Sequence, residues 1–99
     1  NLQIEYYATE TGTGTVTASS TITDNLYNPG SLQATLTYNL PASPVDGQLC
    51  KITFNNTVTT LTVSGNGNTL SGTAATSAAV GTALEYKFYN TVSAWIRIQ

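Results

Sequence analysis

A chain of 99 residues with a 40% hydrophobic share supports one domain with a modest core, and only 8% of its residues are charged, against roughly 25% in an ordinary soluble domain. The basic residues Lys51, Lys87 and Arg97 are too few for a phosphate-tracking stripe, and no apolar run approaches the roughly 18–20 residues of a membrane-spanning helix, so neither nucleic acid nor membrane insertion is expected. Lacking histidine and carrying a single cysteine, the chain has no usual general base, no set of zinc ligands and no intramolecular disulfide.

The predicted elements repeat with a period of two almost throughout. Strands are expected over 3–9, where the adjacent Tyr6 and Tyr7 face opposite sides, and over 15–23. Asp24, Asn25 and Asn28 offer oxygen atoms of the kind calcium takes, but without the EF-hand spacing and its closing glutamate, and turn chemistry explains all three. Asn28-Pro29-Gly30 reads as a turn. The span 31–40 is the clearest strand: Leu32, Ala34, Leu36, Tyr38 and Leu40 share one face, with Gln33, Thr35, Thr37 and Asn39 on the other. A loop from Pro41 to Gly47 ends in Asp46-Gly47.

Next comes a strand over 49–55, in which Cys50 keeps phase with Ile52 and Phe54 and so reads as a small buried hydrophobe. A strand over 58–64 and the turn Gly65-Asn66-Gly67-Asn68 follow, and the residues from Ala74 to Ala83 suit a small-residue loop. The chain then closes with a hairpin: Leu84, Tyr86 and Phe88 alternate with polar neighbours, Asn90-Thr91-Val92-Ser93 connects, and Ala94, Ile96 and Ile98 alternate with Trp95 and Arg97. Each strand has one apolar and one polar face, which predicts an all-β domain over residues 1–99, an antiparallel β-sandwich, jelly roll or small barrel.

No constellation in the chain suits catalysis. The carboxylates Glu5, Glu10, Asp24, Asp46 and Glu85 could form a glycosidase pair only by a chance approach across a sugar, and turn or polar-face positions account for them better. Gly12-Thr13-Gly14 and Gly65-Asn66-Gly67 lack the Lys-Ser/Thr pair and helix of a phosphate loop. Neither an enzyme, a metal nor a cofactor is therefore expected. The absence of methionine points to a piece of a larger protein. Tyr occurs six times, and such rings suit sugar stacking or interfaces, which makes Trp95, Tyr89 and Tyr27 the candidate carbohydrate-binding residues. If Ile96 points into the core, Trp95 lies outside or against a neighbouring copy; otherwise both faces of the last strand are buried within one chain.

Asp46-Gly47-Gln48, the strand Thr59-Thr60-Leu61-Thr62-Val63, the turn Gly65–Asn68, Thr69-Leu70-Ser71-Gly72, Gly81, Leu84-Glu85-Tyr86 and the closing Trp95-Ile96-Arg97-Ile98 occur in this order. From Asp46 onward the chain resembles the C-terminal domain of bacteriophage tail fibres and tailspikes, whereas the preceding residues carry no comparable signature. The resemblance implies a final hairpin after which the polypeptide ends, a homotrimer at the virion tail tip, and an extracellular setting. It also implies contact with host surface polysaccharide or the capping of a preceding β-helix, with no enzymatic residue in this domain. A monomeric carbohydrate-binding module of a secreted enzyme, or a bacterial surface or C1q-like trimeric domain, fits the same composition.

Overall fold

Alternating side chains pull the chain into extended segments, and breakers return it. The computed structural model describes residues 7–12 and 14–99, which hold nine strands. In chain order they are β1 (Tyr7–Glu10), β2 (Gly14–Thr17), β3 (Asp24–Tyr27), β4 (Gln33–Asn39), β5 (Leu49–Phe54), β6 (Val58–Ser64), β7 (Thr69–Ser71), β8 (Ala83–Tyr89) and β9 (Ala94–Arg97). The first six alternate between two sheets, so that β1, β3 and β5 pair in parallel in one and β2, β4 and β6 in the other. Each circuit thus adds one strand to each sheet, the architecture of a two-sheet β-solenoid. The larger sheet then continues past β5 through β8 and β9, each antiparallel to its predecessor, to β7, which pairs with β9 in parallel; its order is β1-β3-β5-β8-β9-β7.

Stacking in register brings inward side chains of successive coils side by side. Asn25, Ile52 and Leu84 form one such row, Tyr27 adjoins Phe54, and Leu36 adjoins Leu61. Tyr27 meets Phe54 edge-on at 5.7 Å and Tyr38 of the opposite sheet at 6.3 Å, a favoured aromatic arrangement. The resulting slab measures 37 × 35 × 19 Å, and its core fills the gap between the sheets. Side-chain amides tie the loops of neighbouring coils together: Asn55 donates to Asn28 Oδ1, Gln48 to the Ser20 carbonyl and Asn68 to the Ala42 carbonyl, each at 3.1 Å.

The all-β expectation holds, but the antiparallel sandwich or jelly roll does not. Period-two alternation reports that one face of a strand is covered and is blind to the direction of the neighbouring strand. In a solenoid each parallel sheet is covered on one face by the other sheet and left open on the second, so the alternation is the same. The strand expected over 15–23 stops at Thr17, and a new one begins at Asp24, inside the stretch read as turn chemistry. Of the strand expected over 3–9, residues 3–6 lie outside the described residues, and β1 runs on to Glu10. The hairpin β8–β9, its connection at Asn90–Ser93 and the buried Cys50 match expectation.

Between β6 and β7 the chain reverses over Gly65–Asn68, with Asn66 at φ 54° and Gly67 at φ 95°, and a Cβ on the buried Gly65 would run into the Asn68 carbonyl. Gly65→Ala is therefore expected to destabilise the fold by about 1–3 kcal/mol, read as a lowered urea midpoint at unchanged slope.

Candidate functional site

Polar backbone groups along a strand must find partners, which makes the ends of a coil its reactive surfaces. At one end lie β1 and β2, each an edge strand among the described residues. Both run parallel to their single neighbours, so this end presents two parallel edges, one from each sheet.

At the other end the edges of β5 and β6 are covered, and the larger sheet runs on to a short edge strand, β7. β8 lies antiparallel on β5, while the small-residue segment after β7 crosses β6, with Val58 and Ala78 exchanging backbone hydrogen bonds at 2.8 and 3.0 Å and Leu61 N–H donating to Thr76 at 2.8 Å. Small side chains allow that segment to lie close. Gly72, at φ 101°, passes against Arg97, whose guanidinium donates to the Thr73 carbonyl at 3.0 Å and fastens the segment to β9. Sequence reasoning missed this closure, since the Ala74–Ala83 stretch reads as a loop with no sign of what it covers.

Two of the candidate stacking residues are built into the interior. Trp95 is fully buried: β9 pairs Trp95 with Phe88, cross-strand partners share a face, and Phe88 points inward with Leu84 and Tyr86. Its ring meets Phe88 edge-on at 5.5 Å. Ile96 consequently points outward, opposite to the first of the two arrangements expected for this strand. Tyr27 is also fully buried, and its hydroxyl donates to the Gly12 carbonyl at 3.0 Å. Tyr89 alone of the three reaches solvent, 37% exposed, with the Lys87 ammonium 5.4 Å from its ring centre. The hairpin tip beside it is fixed by Asp46, whose carboxylate accepts from Asn90 N–H at 2.8 Å.

The outer face of the three-stranded sheet carries a second pattern. Thr15, Thr37 and Thr62 stand in one cross-strand row, flanked by Thr35 beside Thr60 and by Thr17, Asn39 and Ser64. Each strand of this sheet carries one Thr-x-Thr triplet, Thr15-Val16-Thr17, Thr35-Leu36-Thr37 and Thr60-Leu61-Thr62.

Inside the slab, Asn25 and Cys50 meet, the amide donating toward the sulfur at 3.7 Å and to the Lys51 carbonyl at 3.2 Å. Burial pushes the Cys50 thiol up to about 12, with the Glu10 carboxylate adding to the effect. Burial also raises the Tyr38 and Tyr86 hydroxyls, Glu10 adding to the first and Arg97 partly offsetting the second. A thiol held in this way is protonated and unreactive, as expected of a packing residue rather than a nucleophile. No family model, curated protein or solved structure matches the chain.

Trp95→Ala is expected to destabilise by about 3–5 kcal/mol, whereas Tyr89→Ala should stay within about 0.5 kcal/mol of the parent in chemical denaturation. Because Cys50, Tyr38 and Tyr86 keep their protons longer in the folded state than in the unfolded one, their contribution to stability is undiminished below the ordinary thiol value of 9.0 and is lost as pH rises toward about 12. The urea midpoint should therefore begin to fall above pH 9.0 and go on falling toward pH 12, with Cys50 resisting alkylation until the chain unfolds.

Proposed function

We propose that this chain is the non-catalytic C-terminal domain of a phage tail fibre or tailspike, a trimer that ends and stabilises the fibre and offers a limited surface for host glycan. The observation that carries this reading is the asymmetry of the coil. One end presents two parallel edges, and the other is closed by an antiparallel strand on β5 and a small-residue segment on β6. A parallel coil propagates by adding further parallel strands to both edges at once, so such a domain suits the last position of a coiled fibre. At the covered end the larger sheet finishes in the three-residue β7, a short edge that offers little template for uncontrolled growth.

Support for trimerisation comes from the low charge of the chain, which leaves little repulsion between copies. Glycan attachment, where it occurs, is narrowed to the region of Tyr89, since the other two candidate rings are fully buried. A monomeric carbohydrate-binding module would draw on a row of exposed rings, and six of the described aromatics, Tyr27, Tyr38, Phe54, Tyr86, Phe88 and Trp95, are buried instead.

Light scattering coupled to gel filtration tests the reading. Three copies of the 10.4 kDa chain give a mass of about 31 kDa, and that mass should persist on dilution; a stable monomer would overturn the fibre assignment. Titration of host polysaccharide against the parent and Tyr89→Ala decides the attachment role, with binding expected only for the parent.

A further inference from the structure

The reversal at Gly65–Asn68 carries β6 of one sheet into β7 of the other, and Asn66-Gly67 within it is the single Asn-Gly pair of the chain. Both central residues have positive φ, 54° and 95°, and Asn68 N–H donates to the Gly65 carbonyl at 3.1 Å, the two-residue turn that Asn-Gly favours. We infer that Asn66 is a site of spontaneous covalent modification, at which the backbone nitrogen of Gly67 attacks the side-chain amide and converts asparagine to aspartate and isoaspartate.

The net reaction is hydrolysis, with water consumed and ammonia released. The Gly67 nitrogen gives up its proton to hydroxide and forms a bond to Asn66 Cγ, and the Cγ–Nδ2 bond breaks as ammonia leaves. Water then opens the resulting five-membered succinimide at either carbonyl. One opening gives aspartate; the other routes the main chain through Cβ and gives isoaspartate. Attacker and target belong to adjacent residues, so no encounter is needed, and glycine has no side chain to crowd the nitrogen.

Both reacting groups are free. Among the described residues, Gly67 N–H donates to no protein acceptor and the Asn66 side chain makes no hydrogen bond; the turn is held instead by Asn66 N–H on Ser64 Oγ at 3.1 Å and by Asn68. Gly67 is exposed and Asn66 half-buried. Asp46-Gly47, whose carboxyl could close the same ring, is committed elsewhere: Gly47 N–H donates to the Phe88 carbonyl and the Asp46 carboxylate accepts from Asn90 N–H, each at 2.8 Å. Asn28 precedes a proline, which has no N–H to lose, and Leu40 N–H, after Asn39, donates to the Ser64 carbonyl at 2.9 Å.

The two products differ in their effect on the fold. Aspartate keeps the turn and adds one negative charge to the formal net charge of -2. Isoaspartate lengthens the main chain by about 1.5 Å. It does so where Gly65 already lies against the Asn68 carbonyl, and it displaces the Asn68 amide from the Ala42 carbonyl of the neighbouring loop.

Ageing the folded chain at mildly alkaline pH, beside a parallel sample in urea, tests the site. Anion exchange should resolve a more acidic species that forms faster as hydroxide increases, and peptide mapping should place the new carboxyl at residue 66, with isoaspartate among the products. Asn66→Gln, whose ring would have six members, should abolish that species while keeping the parental dichroism. The isoaspartyl form should unfold at lower urea than Asn66→Asp. New carboxyls appearing first at another asparagine, or an acidic species that survives Asn66→Gln, would overturn the assignment. So would an Asn66 that stays intact in the folded chain while converting in urea, since the closed turn would then protect it.

Discussion

In-register stacking of inward side chains is the constraint on which this structure depends. β4 and β6 keep one offset over the whole of their pairing, from Gln33 opposite Val58 to Asn39 opposite Ser64, so Leu36 lies beside Leu61 and Tyr38 beside Val63. Slipping by a single residue would turn Leu61 and Val63 outward and bring threonines into the core. The connections between strands differ in length from coil to coil, yet every circuit returns to register. Asn28, Asn55, Gln48 and Asn68 hold those connections together and keep the returning strands aligned.

A stack of this kind is satisfied along its length and unsatisfied at its ends. Here the two ends are resolved differently. At one, small residues allow the segment before β8 to lie close across β6, and the direction of the chain then reverses, so β8 takes the β5 edge antiparallel. At the other, β1 and β2 remain as edge strands among the described residues. Paired edges resist further association, whereas open ones invite it. Between the sheets, Tyr27, Tyr38, Phe54 and Trp95 are fully buried in one core cluster and fill much of the space there.

The two broad faces divide the remaining work. All the charge carried by strands is on the larger sheet, much of it in opposed cross-strand neighbours, while the smaller sheet presents hydroxyls and amides in rows one strand spacing apart. The one thiol is buried and held protonated.

Several features were legible in the residues alone. Alternation located β4, β5, β6 and the β8–β9 hairpin, the phase of Cys50 with Ile52 and Phe54 placed it in the core, and Gly65–Asn68 marked a reversal. Those properties are local, set by the period of the strand and by which residues tolerate positive φ. Strand direction, the short strands β3 and β7, and the orientation of Trp95 were not legible. Asp24 and Asn25 read as turn residues because their β-propensity is low, and they become a strand only between β1 and β5. Trp95 turns inward because its partner across the hairpin is Phe88, a matter of register that alternation within β9 cannot fix. Composition and alternation alone specify an all-β chain of low charge, whereas parallel pairing in most of its sheets, the covering of β5 and β6 and the charge-free strands of the smaller sheet emerge only in the fold, because pairing direction and burial depend on which distant strands meet.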